Sequence, residues 1–160
     1  MKRKLIFLLV GPVAFMASSC FKDLETVYKG PTIVEFNDAV VRTNAVGQTY
    51  SITSIPNSVT AGGTVITQLN LVGAQRPSDV TVRVLPDPTL TTAATTSYSL
   101  ANGGSVVIPA NTSFGSLTMI VGRASSTTAP VTNVVLVLDS TNADFKPSQN
   151  YKRLGYSFRR

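Results

Sequence analysis

Short runs of β-branched residues, separated by clusters of turn-forming residues, recur along most of this chain. Thr and Val each occur 20 times among 160 residues, and their stiff side chains fit a pleated strand better than a helix. No window of about 11 or more residues combines helical periodicity with capping residues. The sequence therefore predicts an all-β fold.

Alternation of apolar and polar residues indicates which strands bury one face. Val80, Val82 and Val84 alternate with polar residues, as in a half-buried strand, whereas the continuous apolar run Val134–Leu138 indicates a central strand buried on both faces. The spacing of these segments is typical of a β-sandwich. The predicted strands are Thr32–Phe36, Tyr50–Ile55, Thr64–Gly73, Asp79–Leu85, Ser105–Pro109, Ser116–Val121, Val134–Leu138 and Arg153–Phe158.

Two of these strands and two connections give expectations about the positions of single residues. Thr67 falls on the same side of its strand as Leu69 and Leu71, and Tyr156 alternates into the core side of the last strand. Asn102-Gly103-Gly104 predicts a turn. The Thr- and Ala-rich stretch Thr89–Ser97 is compatible with an edge strand or with a mobile loop.

The first 20 residues have the composition of a secretory signal. Lys2-Arg3-Lys4 is positively charged, the 12 residues Leu5–Met16 are mostly apolar, and small residues then lead to Cys20. Such an apolar run is shorter than the ~20 residues of a membrane-spanning helix. We expect residues 1–19 to be a signal peptide, residues 20–30 a tether and residues 31–160 one β-sandwich domain.

Ala17-Ser18-Ser19-Cys20 resembles the bacterial lipobox, in which the Cys is acylated and the signal is cut before it. The resemblance implies two or three acyl chains on Cys20, and thus stable anchoring to a lipid bilayer, because a single chain binds only marginally. An ordinary cleavable signal with an incidental Cys is the alternative. Lys22, Asp23 and Glu25 resemble the residues after the Cys in surface lipoproteins of the Bacteroidetes, which implies an outer-membrane, cell-surface location.

Composition excludes several classes of function. His is absent and Cys occurs once, so no Ser-His or Cys-His catalytic pair and no imidazole or thiolate metal site can form. Of the 14 basic residues three lie in the signal segment, and the rest, against 8 acidic residues, do not form the basic patch of a nucleic-acid-binding protein. We expect no enzymatic activity, no cofactor and no nucleic-acid partner. A carboxylate pair such as Glu35 and Asp87, acting in a glycoside hydrolase, is the enzymatic alternative.

A series of strand and turn motifs runs through most of the predicted domain. They are Val82 with Val84, Tyr98-Ser99-Leu100, Val106–Ala110, Leu117–Val121, Leu136–Leu138 and Asn142–Phe145. Their order resembles that in small surface lipoproteins of the Bacteroidetes and, more distantly, in Calx-beta domains. The resemblance implies a single immunoglobulin-like antiparallel β-sandwich, and it supports a fold without assigning an activity.

The segment after the buried strand carries two candidate sites, one for calcium binding and one for O-glycosylation. Calx-beta domains bind Ca²⁺ through acidic loops, which implies Asp139, Asn142 and Asp144 as candidate ligands of a weak calcium site. A turn closed by the Asp side chain is the simpler interpretation. Asp139-Ser140-Thr141 also resembles the O-glycosylation acceptor of the Bacteroidetes, which implies Ser140 as a candidate attachment site.

Tyr98 and Tyr151 flank loops and are the candidate residues for stacking on sugars, since aromatic rings present flat apolar faces. Packing at one end of the sandwich is the simpler interpretation of both. The leading hypothesis is a non-enzymatic binding module at the cell surface, with a glycan or protein ligand and a role in glycan uptake. A structural or adhesin-stalk module is the alternative outside catalysis.

Overall fold

The alternating segments form strands of two sheets in the computed structural model, which describes residues 31–141 and 145–160. The two sheets pack face to face, so the predicted β-sandwich is confirmed. The strands are β1 (Ile33–Phe36), β2 (Ile52–Ser54), β3 (Gly63–Val72), β4 (Val80–Pro86), β5 (Tyr98–Leu100), β6 (Ser105–Ile108), β7 (Phe114–Val121), β8 (Val131–Leu138), β9 (Lys146–Pro147) and β10 (Arg153–Arg159). A helix, α1 (Asn37–Val41), follows β1, and a 3-10 turn (Ala101–Gly104) precedes β6.

Each sheet has five strands. The first sheet has the order β5-β7-β3-β1-β9 and the second has the order β2-β10-β8-β4-β6. Most neighbours are antiparallel, but β9 runs parallel to β1, and β2 runs parallel to β10. Each sheet of the sandwich is therefore mixed, with one parallel pair at one edge and antiparallel pairs elsewhere. Parallel neighbours need a crossover connection, and most of the domain separates β2 from β10 along the chain.

The core lies between the sheets and follows the predicted alternation. Val80, Val82 and Val84 are buried on β4, and Thr67 is buried on β3 beside Leu69. The central position of β8 in the second sheet is also as predicted. Its residues Val134, Val135, Leu136 and Leu138 are all buried, which accounts for the continuous apolar run.

The Thr-rich stretch 89–97 forms no strand, yet it is hydrogen-bonded to β8. Asp87 N donates to Val135 O at 2.7 Å, and Thr92 N donates to Asn133 O at 2.9 Å. The hydroxyls of Thr91 and Thr92 accept from Val135 N and Asn133 N at 3.1 and 3.0 Å. Beyond the end of β4, these side chains thus supply the acceptors that a neighbouring strand would have supplied.

Three short elements of the structure, one helix and two strands, lie outside the predicted strands. Helix α1 has five residues and is too short for a periodic signal; Ala39 is its buried residue, and Arg42 pairs with Asp38 at 3.2 Å across one turn. Strand β9 has two residues, too few for alternation to reveal it, and β5 consists of the three residues of the Tyr98-Ser99-Leu100 motif alone. Within the described parts of the chain, no helix has the length and hydrophobicity to cross a bilayer.

Candidate functional site

Only some of the residues singled out from the sequence lie in the described parts of the chain. Cys20, the signal peptide and the tether lie outside the described residues, as do Asn142 and Asp144. Ser140 is exposed in the segment after β8. The O-glycosylation of Ser140 stays a prediction.

Asp139 makes the turn that was the simpler interpretation of its segment. Its Oδ1 accepts from Thr141 N at 2.9 Å, and its own backbone N donates to Arg83 O at 2.9 Å. The Thr141 hydrogen bond lowers the pKa of the Asp139 carboxyl. Across residues 31–141 and 145–160, no cluster of three Cys, Asp or Glu residues could hold a metal ion. The calcium site therefore stays a prediction that depends on Asn142 and Asp144.

Glu35 and Asp87, the carboxylate pair considered for hydrolysis, lie in different sheets. Glu35 belongs to β1 of the first sheet, and Asp87 directly follows β4 of the second. Asp87 is buried and forms an ion pair with Arg153, its Oδ2 accepting from Nε at 2.9 Å. The Asp87 carboxylate is thus already occupied by a structural contact.

The two candidate tyrosines have different surroundings. Tyr98, on β5, is half-buried and packs against the core cluster, and burial raises the pKa of its hydroxyl. Tyr151 is exposed, at 36% of its surface. Tyr98 therefore fits the packing interpretation, and Tyr151 is the one available for stacking.

Tyr151 lies in a polar groove of about 690 Å³, here called the Tyr151 groove. Two segments that are about 100 residues apart in the sequence form it: the loop after α1 and the segment before β10. The residues that line it are Asn44, Gln48, Thr49, Gln149, Asn150, Tyr151, Lys152 and Arg153. Its volume falls in the range of about 300–1,000 Å³ that is usual for small-ligand sites.

Backbone hydrogen bonds hold both segments of the groove in place. Ser148 N donates to Val34 O at 2.8 Å, and Tyr151 O accepts from Phe36 N at 3.0 Å, so β1 holds the segment before β10. In the loop, Ala45 N donates to Tyr50 O at 3.0 Å, and Gly47 has a φ of 73° that favours glycine. The side chains of the groove therefore project from a fixed backbone.

The charged side chains that line the Tyr151 groove are both cations. Lys152 and Arg153 line it, and no Asp or Glu does. The charge of Arg153 is compensated by its ion pair with Asp87, whose side chain is only 7% exposed. Burial raises the pKa of the Asp87 carboxyl, but hydrogen bonds from the Thr89 hydroxyl and from Arg153 outweigh it and leave the pKa below its ordinary value.

The surface of the sandwich also carries the Arg83 groove and the Phe114 groove. The Arg83 groove has a volume of about 580 Å³, with Arg83, Ser105 and Asp139 among its lining residues. The Phe114 groove has a volume of about 430 Å³, and its lining includes Ile66, Val107 and Phe114. Neither combines an exposed aromatic ring with several amide side chains.

The sequence does not predict that these two segments come together in one groove. Asn44 and Gln48 on one side, and Gln149 and Asn150 on the other, look like ordinary loop residues. The one local signal is a Tyr flanked by amides and cations at positions 149–153. That the loop after α1 faces this segment follows from the placement of both beside β1, which only the fold reveals.

Comparison with known proteins gives no family for this chain. No protein-family model and no curated protein matches it. Among solved structures, a Bacteroides ovatus protein to which carbohydrate binding has been attributed is similar with a TM-score of 0.49 and 8% identity over 68% of this chain. The Bacteroides thetaiotaomicron protein EndoBT-3987, solved with a Man5GlcNAc product, is similar with a TM-score of 0.49 and 12% identity over 78% of this chain. The chain spans about a third of each, 34% and 30% of their lengths.

Proposed function

We propose that this chain is a non-enzymatic carbohydrate-binding module, anchored to the outer membrane at the cell surface through an acylated Cys20. The observation that carries the binding function is the Tyr151 groove, where an exposed aromatic ring lies among amide side chains on a fixed backbone. The anchoring rests on the lipobox-like sequence before Cys20. A place in a glycan-uptake assembly is part of the proposal.

The chemistry of the groove suits a sugar. Four of the lining residues are amides, namely Asn44, Gln48, Gln149 and Asn150, and each amide group both donates and accepts hydrogen bonds. Sugar hydroxyls also donate and accept, so amides pair with them without burying an unmatched group. The Tyr151 ring supplies a flat apolar face next to these polar groups.

The acidic residues of the domain support binding in preference to hydrolysis. A glycosidase needs two carboxyl groups on either side of one bond, about 5–10 Å apart. The lining of the Tyr151 groove contains neither Asp nor Glu, and Asp87 is held by Arg153 and Thr89. The groove thus offers contacts for a ligand and no acid–base pair.

Binding is tested with the full chain, purified with its lipid in detergent, on an array of oligosaccharides and then by calorimetry on the best ligand. Tyr151→Ala should weaken binding at least about fivefold, because one aromatic contact contributes roughly 1 kcal/mol beyond its buried area. Phe114→Ala is the matched control, since Phe114 is 60% exposed on a different groove. Equal loss in both variants, or no ligand on the array, would contradict the proposal.

Anchoring is tested separately. Labelled palmitate should be incorporated into the protein in cells, and the mass of the processed chain should correspond to an acylated Cys20 at its N-terminus. Cys20→Ala should lose the label and leave the membrane fraction, because Ala has no thiol to carry the acyl chains that attach the protein to the bilayer. Recovery of the unaltered protein in the medium, with an unmodified Cys20 thiol, would refute it.

A further inference from the structure

We infer that the Tyr151 groove selects acidic glycans, whose sugar residues carry carboxylate groups, over neutral ones. This inference rests on the proposed carbohydrate-binding function and names the class of ligand for the same site. It comes from the two cations of the groove and from the way in which one of them is held.

Arg153 is fixed by a single nitrogen. Its Nε donates to Asp87 Oδ2 at 2.9 Å, and Asp87 Oδ1 in turn accepts from the backbone N and the hydroxyl of Thr89 at 3.0 and 2.8 Å. Because Asp87 is buried, this chain of contacts restricts the orientation of the guanidinium group.

The rest of the Arg153 guanidinium is available for a ligand. Its side chain is 36% exposed, and within residues 31–141 and 145–160 its two terminal nitrogens have no hydrogen-bond partner. A guanidinium presents its donors in a planar fork that matches a carboxylate, and less entropy is lost when the fork is already oriented.

Lys152 adds a charge that nothing in the described residues neutralises. It lines the groove beside Arg153 and is half-buried. Among the described residues, Asp87 pairs with Arg153 and Asp38 pairs with Arg42 at 3.2 Å, and no ion pair joins Lys152 to a carboxylate. The groove therefore has a net positive charge, which attracts an anionic ligand and disfavours a cationic one.

The test uses pairs of oligosaccharides that differ only in charge. Oligomers rich in uronic acid are compared with the same oligomers after reduction of their carboxyl groups to alcohols, with the full chain in detergent. We expect an acidic oligomer to bind at least about tenfold more tightly than its reduced form, and its affinity to fall as salt is raised. A reduced oligomer that binds as well as its acidic parent would overturn the inference and leave the carbohydrate-binding function standing. Absence of binding to every oligomer, acidic and neutral, would overturn both.

Variants identify the residues responsible. Lys152→Gln should weaken binding of the acidic oligomer by up to about fivefold, as for a partly exposed ion pair, reduce the salt dependence and leave binding of the reduced oligomer unchanged. Lys146→Gln is the matched control, because Lys146 is exposed on β9 and does not line the groove. Arg153→Gln should lower the affinity further, but it also breaks the contact with buried Asp87, so Lys152→Gln is the decisive variant. An equal effect of Lys152→Gln on both oligomers would contradict selection by charge.

Discussion

The hydroxyl of Tyr156 lies 2.5 Å from Thr67 Oγ1, and this hydrogen bond joins the two sheets inside the core. Thr67 belongs to β3 and Tyr156 to β10, and neither side chain is exposed. Burial raises the pKa of Tyr156 to about 12, so the phenol stays protonated and able to donate. Each of the two buried hydroxyls therefore has the other as its hydrogen-bond partner.

Removing both of these hydroxyls should cost less than the sum of the two single removals. Thr67→Val or Tyr156→Phe alone leaves a buried hydroxyl unpaired and should lower the free energy of unfolding by about 1–3 kcal/mol. The double variant should be more stable than the sum of the two losses implies, because no unpaired group remains. Urea denaturation of the four proteins measures this coupling. Strictly additive losses would show that the two hydroxyls do not depend on each other.

Alternation along the chain predicts half of this relationship. It places Thr67 and Tyr156 on the inward faces of their strands, because residues two apart share a face. It does not predict that they meet, since they are 89 positions apart and belong to different sheets. The parallel edges β1–β9 and β2–β10 are unpredictable for the same reason: strand pairing over long separations leaves no local pattern in a short strand.

Gly104 should tolerate no side chain, unlike its neighbour Gly103. Both have positive φ angles, 85° and 62°, but a Cβ on Gly104 would clash with the carbonyl oxygen of Val84, whereas one on Gly103 would meet nothing within 4 Å. Gly103→Ala should cost about 1 kcal/mol for backbone strain alone, and Gly104→Ala about 2–4 kcal/mol because overpacking against β4 adds to it. Thermal or urea unfolding of the two variants measures the difference. Similar losses in both would mean that the contact with Val84 relaxes freely.

Thr91 should stabilise the part of β8 that extends beyond the end of β4, although Thr91 lies in a loop. Its hydroxyl is the acceptor for the N–H of buried Val135, so Thr91→Val should cost about 1–3 kcal/mol. It should also speed hydrogen exchange at the Val135 amide. Thr95→Val is the control, since Thr95 is exposed in the same loop and should have little effect. An unprotected Val135 amide in the unsubstituted protein would disprove this role.

The candidate site was less predictable than the core. Tyr151 stands out by its position beside a predicted loop, and its exposure agrees with the stacking interpretation. Tyr98 also flanks a predicted loop, but it packs on the core because it lies on β5, the strand formed by the Tyr98-Ser99-Leu100 motif. The ion pair of Asp87 and Arg153 could not be foreseen either, since Asp87 between two prolines resembles an ordinary turn residue.

Asp87 should make the stability of the domain sensitive to acid. Its pKa in the folded protein lies below the ordinary value of 3.8. Burial disfavours the ionised carboxylate, but the contacts with Thr89 and Arg153 stabilise it by more than burial costs. The resulting stabilisation is present in full above that ordinary value and is lost as the pH falls below it towards the folded pKa.

The measurement is the free energy of unfolding between about pH 5 and about pH 2. Asp87→Asn should be less stable than the unsubstituted protein by about 1–3 kcal/mol at pH 5, because it loses a charged partner of Arg153. It should then lose less stability on acidification, so that the two curves converge. Asp79→Asn, a matched change at an exposed carboxylate that accepts from Ala110 N, should retain the acid sensitivity. Parallel curves for Asp87→Asn and the unsubstituted protein would contradict the lowered pKa, since a group that titrates equally in the folded and unfolded chain contributes no pH dependence.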